Sequence, residues 1–290
     1  MALTGMQIYK NLPKTNCKDC GLPTCMAFAM QVAAKQRALT DCPHISAEAE
    51  AALSEAAAPP MQLIKIGPED NHFELGQETV MFRHEEKFHR KTGIAVRLSA
   101  NLSDAEALSR VEKINSSVFS RVGDCLKIDF CAVEVDGVAD PANRLKQIAE
   151  KSNVPLIIMG KDSGALKAAV EEVKAQKPLI YRADNTNIDE YVKLACSAKV
   201  PLAITGSTLE ELADLTSKAK DNGLSEIILS FNGKDIGQAL RNLTISRRAA
   251  LKRNYKPLGF PAMVEIEAET AEMETLMASI GRQICRNSLN

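Results

Sequence analysis

A proline at the start of a short apolar segment recurs three times in this chain at a constant interval. Pro155, Pro178 and Pro201 are 23 residues apart, and each is followed by leucine and then by isoleucine or alanine. Proline lacks a backbone N–H and is tolerated at the first residue of a strand, so each of these positions fits a strand start. An interval of this length accommodates one strand and one helix. The repeat therefore predicts consecutive βα units.

Four further apolar segments have strand character, which gives seven predicted strands in all: residues 94–100, 127–135, 226–231 and 260–266. Helix starts between them are marked by Ser103 with Glu106, Asp140 with Pro141, Asn187 with Glu190, and Thr208 with Glu211. Apolar strands that alternate with helices are typical of a parallel sheet buried on both faces. Seven such units predict an α/β fold, a TIM-type (β/α) barrel. The sequence contains neither G-x-G-x-x-G after the first strand nor G-x4-G-K-[ST], so an open nucleotide-binding sheet is not favoured.

Four cysteines near the amino terminus have the spacing of an iron–sulfur site. Cys17, Cys20 and Cys25 lie within nine residues, and Cys42 follows after a further sixteen. Thiolates are the usual ligands of a [4Fe-4S] cluster, and this spacing lets one loop supply three ligands and a distant residue the fourth. Cys25 begins an apolar helical segment, residues 24–39, whose unpaired amides and dipole favour negative charge. The motif predicts a [4Fe-4S] cluster bound by all four cysteines.

Structural zinc, a disulfide pair and ordinary buried thiols are the alternatives. A four-cysteine zinc site usually has two Cys-x2-Cys pairs, and the second pair is missing here. His44 could replace a ligand, but an ordinary solvated residue is the favoured interpretation of it. Cys131 and Cys196 are interpreted as small core residues, whereas Cys125 and Cys285 have no second cysteine at ligand spacing.

Composition excludes several functional classes. The chain has 290 residues, 45% of them hydrophobic and 25% charged, with a formal net charge of −1. This balance suits one large domain with a small one and does not favour nucleic-acid binding. The first twelve residues contain no signal peptide, and no apolar segment of membrane-spanning length occurs in the sequence. We therefore expect a cytoplasmic protein with reduced thiols and no membrane association.

The sequence also indicates where the two parts meet. Residues 46–58 are rich in alanine and glutamate and predict a surface helix, which Pro59 and Pro60 would end before an apolar strand at residues 61–66. The expected domains are a [4Fe-4S] cluster domain at residues 1–57 and a TIM-type barrel at residues 58–281. Residues 282–290 form a tail.

Several segments together resemble one protein family. They are the cysteine motif, residues 77–85 (QETVMFRHE), the Pro-Leu-Ile series and residues 247–260 (RRAALKRNYKPLGF). In combination they are similar to the large subunit of the corrinoid iron–sulfur protein, a family that includes the gamma subunit of the acetyl-CoA decarbonylase/synthase complex. The resemblance covers residues 1–281, and Cys17, Cys20, Cys25 and Cys42 match the family's cluster ligands one by one.

The resemblance implies a methyl-carrier and electron-transfer subunit of the Wood–Ljungdahl (reductive acetyl-CoA) pathway. It implies that the [4Fe-4S] cluster reduces Co(II) to Co(I) in a corrinoid, which carries a methyl group from a methyl-tetrahydropterin to acetyl-CoA synthase. The implied partners are the small subunit, a methyltetrahydrofolate-type methyltransferase and CO dehydrogenase/acetyl-CoA synthase. Whether such a subunit counts as an enzyme by itself stays open.

One departure from the family shapes the remaining expectations. Family members continue into an eighth barrel strand and a corrinoid-binding domain, and residues 282–290 do not resemble that continuation. We therefore expect a barrel incomplete at its last strand and little cobalamin binding. A stand-alone pterin-dependent methyltransferase with an attached cluster, and a non-functional truncated fragment, are the alternative hypotheses. Polar residues at the predicted strand ends receive no assigned chemistry: Asn101, Asp136, Asp162, Asp184, Asn185, Thr205, Ser207, Asn232 and Glu267.

Overall fold

The computed structural model divides the chain into two compact units, residues 1–60 and residues 61–290, which are described separately. It describes residues 5–34, 36–37, 39–46, 49, 53, 59–81, 85, 90–121 and 124–286. Most of the surface helix predicted at residues 46–58 lies outside these residues, as does the end of the tail.

The described part of the amino-terminal unit includes two short helices and one 3-10 turn. They are α1 (Gly5–Asn11), α2 (Cys25–Ala33) and the 3-10 turn Leu39–Asp41. Ile8, Phe28 and Leu53 are each 1% exposed and form a small core. Helix α2 begins where the sequence predicts but ends at Ala33, with Ala34 as its C-cap, so it is shorter than the predicted segment 24–39.

A parallel seven-stranded sheet forms the larger unit, and all seven predicted strands are confirmed. They are β3 (Ala95–Leu98), β6 (Phe130–Glu134), β7 (Leu156–Met159), β8 (Leu179–Ala183), β9 (Leu202–Thr205), β10 (Ile227–Asn232) and β11 (Ala262–Glu265). The order in the sheet follows the order in the chain, from β3 at one edge to β11 at the other. Two antiparallel hairpins accompany it: β1 (Leu63–Ile66) with β2 (Phe73–Gly76), and β4 (Val118–Arg121) with β5 (Asp124–Lys127).

Helices connect successive strands of the sheet. They are α3 (Asp104–Ser116), α4 (Pro141–Lys151), α5 (Ser163–Val173), α6 (Ile188–Ala198), α7 (Leu209–Asp221) and α8 (Ile236–Arg253), with α9 (Ala271–Arg286) after β11; 3-10 turns lie at Lys174–Gln176 and Lys256–Leu258. No described helix combines the length and the apolar character needed to cross a membrane.

Most of the predicted helix caps are present. Ser103 and Glu106 form a complete capping box at the start of α3. Asp140 accepts a hydrogen bond from the Asn143 amide ahead of Pro141, and Thr208 caps α7. Asn187 is the N-cap residue of α6, as predicted, but its side chain makes no cap hydrogen bond, because its Oδ1 accepts from the Asp184 amide at 2.8 Å.

Both faces of the sheet are buried, because alternate side chains of each strand enter different cores. In β7, Leu156 and Ile158 pack under the helices, whereas Ile157 packs on the inner face with Met159. This arrangement explains why the strands are continuously apolar in sequence.

The β1–β2 hairpin covers the amino-terminal end of the sheet. Its Ile64 and Ile66 belong to the inner core. Backbone hydrogen bonds tie it to residues just ahead of β11 and β8, from Gln62 N to Gly259 O at 2.9 Å and from Gly67 N to Lys177 O at 3.0 Å. The predicted strand at residues 61–66 therefore forms part of a hairpin that closes the amino-terminal end of the parallel sheet.

The sheet is curled, so that its two edge strands approach each other. Arg97 of β3 pairs with Glu265 of β11 at 3.6 Å. Within the described residues β3 and β11 are not joined by backbone pairing, and the closed barrel that the sequence predicts is not confirmed. A cavity of about 930 Å³ is lined by both edge strands and by α8 and α9.

Candidate functional site

The four predicted ligand cysteines line one small recess in the amino-terminal unit. Cys25 is the first residue of α2, and Cys42 follows the 3-10 turn; both are buried. Cys17 is exposed and Cys20 partly so, both in the loop that precedes α2. Two local elements therefore bring distant parts of the sequence to one place, with the thiols between the small core and solvent.

The loop that carries Cys17 and Cys20 has an unusual backbone. Lys14, Asn16 and Lys18 have φ values of 59°, 50° and 70°, and Gly21 follows with 77°. Left-handed conformations cost free energy for residues other than glycine and are tolerated best by asparagine and aspartate. Left-handed residues of this kind form part of the anion-binding nests at many iron–sulfur sites. In this loop the N–H of Asn16 is directed at a cysteine sulfur, Cys25 Sγ.

Asn16 makes two hydrogen bonds to the same cysteine. Its backbone N–H donates to Cys25 Sγ at 3.4 Å, and its side-chain Oδ1 accepts from the Cys25 amide at 2.9 Å. Thr24 Oγ1 accepts from the Ala27 amide at 3.1 Å and caps α2. Cys25 is therefore held by contacts on both its sulfur and its backbone.

Charged side chains join the loop to the segment around Cys42. His44 Nε2 lies 2.6 Å from Asp19 Oδ2, and Arg37 Nη1 donates to the Cys20 carbonyl at 3.4 Å. Hydrogen bonds from His44 and then from Cys17 hold the pKa of Asp19 below its ordinary value. Ligand atoms of Cys17, Asp19 and His44 all lie within 4.8 Å of one another.

The chemistry of the recess fits an iron–sulfur cluster. It combines four thiols, which are the ligands that iron takes in such clusters, with an N–H that donates to one of the sulfurs and the amino-terminal end of a helix. The N–H and the helix end both stabilise the negative charge of a thiolate-bound cluster. Sequence reasoning missed the contacts of Asn16 and the pairing of Asp19 with His44. The only available signal for Asn16 was an asparagine, a residue that tolerates left-handed backbone, directly before the first cysteine.

The other cysteines lie in the larger unit and behave differently. Cys131 is fully buried in β6, and burial raises the pKa of its thiol to about 12. Its interpretation as a core residue is confirmed. Cys196 is half-buried on α6, and Cys125 is exposed in β5. The side chain of Cys285 lies outside the described part of the chain.

Most polar residues at the carboxyl ends of the strands bind nearby backbone. Asp136 accepts from the Lys161 and Asp162 amides at 2.9 and 3.1 Å, and Asp162 in turn caps α5. The side-chain oxygens of three others also bond to backbone groups, at Asp184, Thr205 and Asn232. The backbone N–H of Ser207 donates to Glu211 Oε2 at 2.8 Å. Asn101 and Asn185 are exposed at turns. These residues support the loops that follow the strands.

A charged network does lie on the inner face of the sheet near its carboxyl end. Tyr181 Oη donates to Glu265 Oε2 at 2.7 Å, and Arg182 Nη1 lies 2.7 Å from the same oxygen. Arg97 bridges Glu265 and Glu134, each at 3.6 Å, and also reaches Glu267 at 3.8 Å. Burial, aided by the charge of Glu265, raises the pKa of Tyr181 to about 12, so its hydroxyl stays protonated. Charged residues within apolar strands were the sequence signal for this network, and sequence reasoning did not use it.

Comparisons with known protein families give a match for each of the two units. A family model described as "CO dehydrogenase/acetyl-CoA synthase delta subunit" matches residues 63–282. A second model, described as "Putative Fe-S cluster", matches residues 12–44, which include Cys17, Cys20, Cys25 and Cys42.

Relatives with curated names align over most of the chain. The corrinoid/iron-sulfur protein large subunit of Moorella thermoacetica is 38% identical over 281 residues, which are 96% of this chain and 63% of the relative. The acetyl-CoA decarbonylase/synthase complex subunit gamma of Methanothermobacter thermautotrophicus is 33% identical over 268 residues, 91% of this chain and 58% of the relative. The gamma subunit of Methanocaldococcus jannaschii is 30% identical, covering 90% and 55%. The chain thus spans 55% to 63% of the length of these three relatives.

These matches confirm the resemblance to the corrinoid iron–sulfur protein large subunit. The family model covers nearly all of the parallel sheet and its helices, and the second model covers the cysteine recess. The chain belongs to the family of the CO dehydrogenase/acetyl-CoA synthase delta subunit.

Proposed function

We propose that Cys17, Cys20, Cys25 and Cys42 bind a [4Fe-4S] cluster and that the chain is a redox and methyl-carrier component of a corrinoid methyl-transfer system. The observation that carries the proposal is the recess itself, where four cysteines from two parts of the sequence meet a helix start and an N–H···S hydrogen bond. The match of residues 12–44 to an Fe–S model supports the same proposal.

Each residue of the recess has a separate task in this proposal. The thiolates hold iron, the Asn16 amide stabilises the sulfur of Cys25, and Thr24 fixes the start of α2. His44 and Asp19 hold the Cys42 segment against the loop. When bound, such a cluster supplies single electrons at low potential, which suits the reduction of a Co(II) corrinoid to nucleophilic Co(I).

Metal analysis of anaerobically purified protein tests the cluster. We expect about four irons and four sulfides per chain, the composition of a cysteine-ligated cube. Cys20→Ala should lose or degrade the cluster, whereas Cys196→Ala, which changes a half-buried thiol on α6, should retain it. Stoichiometric zinc without sulfide would contradict the proposal.

Reduction of cobalt tests the proposed role. Reduced wild-type protein, mixed anaerobically with a Co(II) corrinoid protein, should generate the Co(I) absorption spectrum, and Cys20→Ala should not. A relative named as a corrinoid/iron-sulfur protein motivates this assay. Equal Co(I) formation by both proteins would contradict a role for the cysteine site.

We also propose that the curled sheet is the greater part of a TIM-type barrel. Its strands run in chain order, its inner-face side chains form one hydrophobic cluster, and Arg97 spans the two edge strands to Glu265. The cavity lined by β3 and β11 is then the place where one further strand pairs with both edges. Amide hydrogen exchange tests this, because the edge amides of β3 and β11 should exchange faster than those of β8.

The proposed partners are the small subunit, the methyltetrahydropterin methyltransferase and CO dehydrogenase/acetyl-CoA synthase, and the proposed compartment is the cytoplasm. Relatives named as subunits of the acetyl-CoA decarbonylase/synthase complex support the partners. The seven cysteines with described side chains are free thiols, which suits a reducing compartment. Co-expression with the small subunit followed by sedimentation should show a complex; a stable monomer beside an unbound small subunit would count against the pairing.

A further inference from the structure

We propose that Asn16 is a positioning residue of the cysteine site, which sets both the retention of the cluster and its reduction potential; this inference rests on the proposed cluster. Asn16 directly precedes Cys17, and its two hydrogen bonds reach Cys25, nine positions away. One residue thereby holds two of the four cysteines at a fixed separation.

The side-chain bond satisfies a donor that has no partner within the helix. The amide of Cys25 is in the first turn of α2, and the first four N–H groups of a helix have no intrahelical acceptor. Thr24 Oγ1 accepts a hydrogen bond from the Ala27 amide, and Asn16 Oδ1 accepts one from the Cys25 amide at 2.9 Å. Since Cys25 is only 8% exposed, loss of this acceptor leaves a nearly buried donor unsatisfied.

The backbone bond acts on the sulfur. An N–H that donates to a ligand sulfur stabilises the more negative, reduced form of a cluster and raises its potential. Asn16 presents this N–H from a left-handed conformation with φ of 50°, and its side-chain bond to Cys25 holds that conformation in place. The two bonds therefore support each other.

Asparagine meets three demands at this position. It tolerates left-handed backbone better than residues such as the neighbouring lysines, and it carries an acceptor at the required distance. It also adds no negative charge beside four thiolates. Glycine tolerates the left-handed backbone and adds no charge, but it has no side-chain acceptor. Aspartate tolerates the backbone and has an acceptor, but it adds a negative charge.

Three variants separate these roles: Asn16→Gly removes the acceptor, Asn16→Asp keeps it, and Lys18→Gly is the matched control. Lys18 has φ of 70° in the same loop, so its replacement tests a glycine at a left-handed position. The measurements are iron loss to an anaerobic chelator and the reduction potential from an EPR-monitored titration. They are made on the full chain.

For Asn16→Gly we expect about tenfold faster iron loss, the rate equivalent of one unsatisfied buried donor. Its potential should also fall below that of wild type and of Lys18→Gly. Lys18→Gly should lose iron at the wild-type rate. Asn16→Asp should lose iron more slowly than Asn16→Gly, because it keeps the acceptor although it adds a negative charge beside the thiolates. If Asn16→Gly assembles no cluster, Asn16→Asp decides: a retained cluster supports the role of the acceptor, and its absence overturns it.

Two results overturn the inference while the proposed function stands. In the first, wild type holds the cluster and Asn16→Gly matches it in both measurements. In the second, Lys18→Gly changes both quantities as much as Asn16→Gly does. Wild-type protein without iron and sulfide would instead refute the proposed function, and this inference with it.

Discussion

Replacement of Arg144 by methionine should strongly destabilise the larger unit. Its side chain is buried in α4, with the residue 5% exposed. Nη1 donates to the Ala100 carbonyl at 3.1 Å and Nη2 to the Ser99 carbonyl at 3.3 Å. Both carbonyls follow β3, an edge strand of the sheet, so Arg144 fixes the carboxyl end of that strand to the helix layer.

The magnitude follows from these contacts. A hydrogen bond from a charged donor contributes about 1.5–3 kcal/mol, so the two bonds together contribute about 3–6 kcal/mol. The pair with Asp104 at 3.6 Å adds less than about 1 kcal/mol, because the Asp104 side chain is 59% exposed. Methionine recovers part of the loss, since it buries apolar surface and removes the desolvation of a guanidinium. We expect a net loss of about 2–4 kcal/mol in the free energy of unfolding for Arg144→Met.

Urea unfolding followed by far-ultraviolet circular dichroism measures this difference, since the chain has no tryptophan. Lys146→Met is the matched control: the same helix carries Lys146, whose side chain is 56% exposed and pairs with Glu172 at 3.4 Å. It should change stability by less than about 0.5 kcal/mol. A shift for Arg144→Met no larger than that of the control would refute the assignment of Arg144 as the anchor of β3.

Three other perturbations have definite outcomes. Burial opposes ionisation of Asp184, but its hydrogen bonds outweigh burial and lower the pKa of the carboxyl below the ordinary 3.8. The stability that the carboxylate contributes is therefore present above pH 3.8 and is lost as the pH falls through the folded pKa. Asp184→Asn should therefore lower the urea midpoint at pH 7, and the difference from wild type should shrink below about pH 4. Ile64→Ala should cost about 2–5 kcal/mol in urea unfolding, because Ile64 is fully buried in the inner core, whereas the exposed Lys65→Ala should cost less than about 0.5. Thr24→Ala should lower the free energy of unfolding of the amino-terminal unit by about 1 kcal/mol and speed iron loss, and unchanged values would contradict a role for the α2 cap.

The strands of the parallel sheet could be predicted because burial on both faces leaves a strong signal. Pro155, Pro178 and Pro201 mark their starts, and continuous apolar residues mark their length. The β2 strand and the β4–β5 hairpin were missed, because four-residue antiparallel strands with charged residues carry little pattern. Their pairing depends on contacts that local sequence does not specify.

The curl of the sheet and its edges could not be predicted for a different reason. A count of seven βα units is compatible with a closed barrel and with a curled open sheet, since each unit has the same local pattern. The difference depends on how β3 and β11 approach each other. The ion pair between Arg97 and Glu265 shows this approach, and it is visible only in the structure. The contacts of Asn16 could not be predicted for a similar reason, because its left-handed φ and its bonds to Cys25 depend on the course of the whole loop.

The paired state of the inner-face network bears on the choice between the two functions that the sequence allows. A barrel that methylated a substrate by itself would present polar groups with spare hydrogen-bonding capacity at the carboxyl end of its strands. Here Glu265 is shared by Tyr181, Arg182 and Arg97, and the charges of both arginines are matched by carboxylates. Such a network stabilises the inner face and joins its edge strands, which favours a supporting role for the larger unit. This role is consistent with the proposed redox function, in which the cysteine thiols of the amino-terminal unit are the reactive groups.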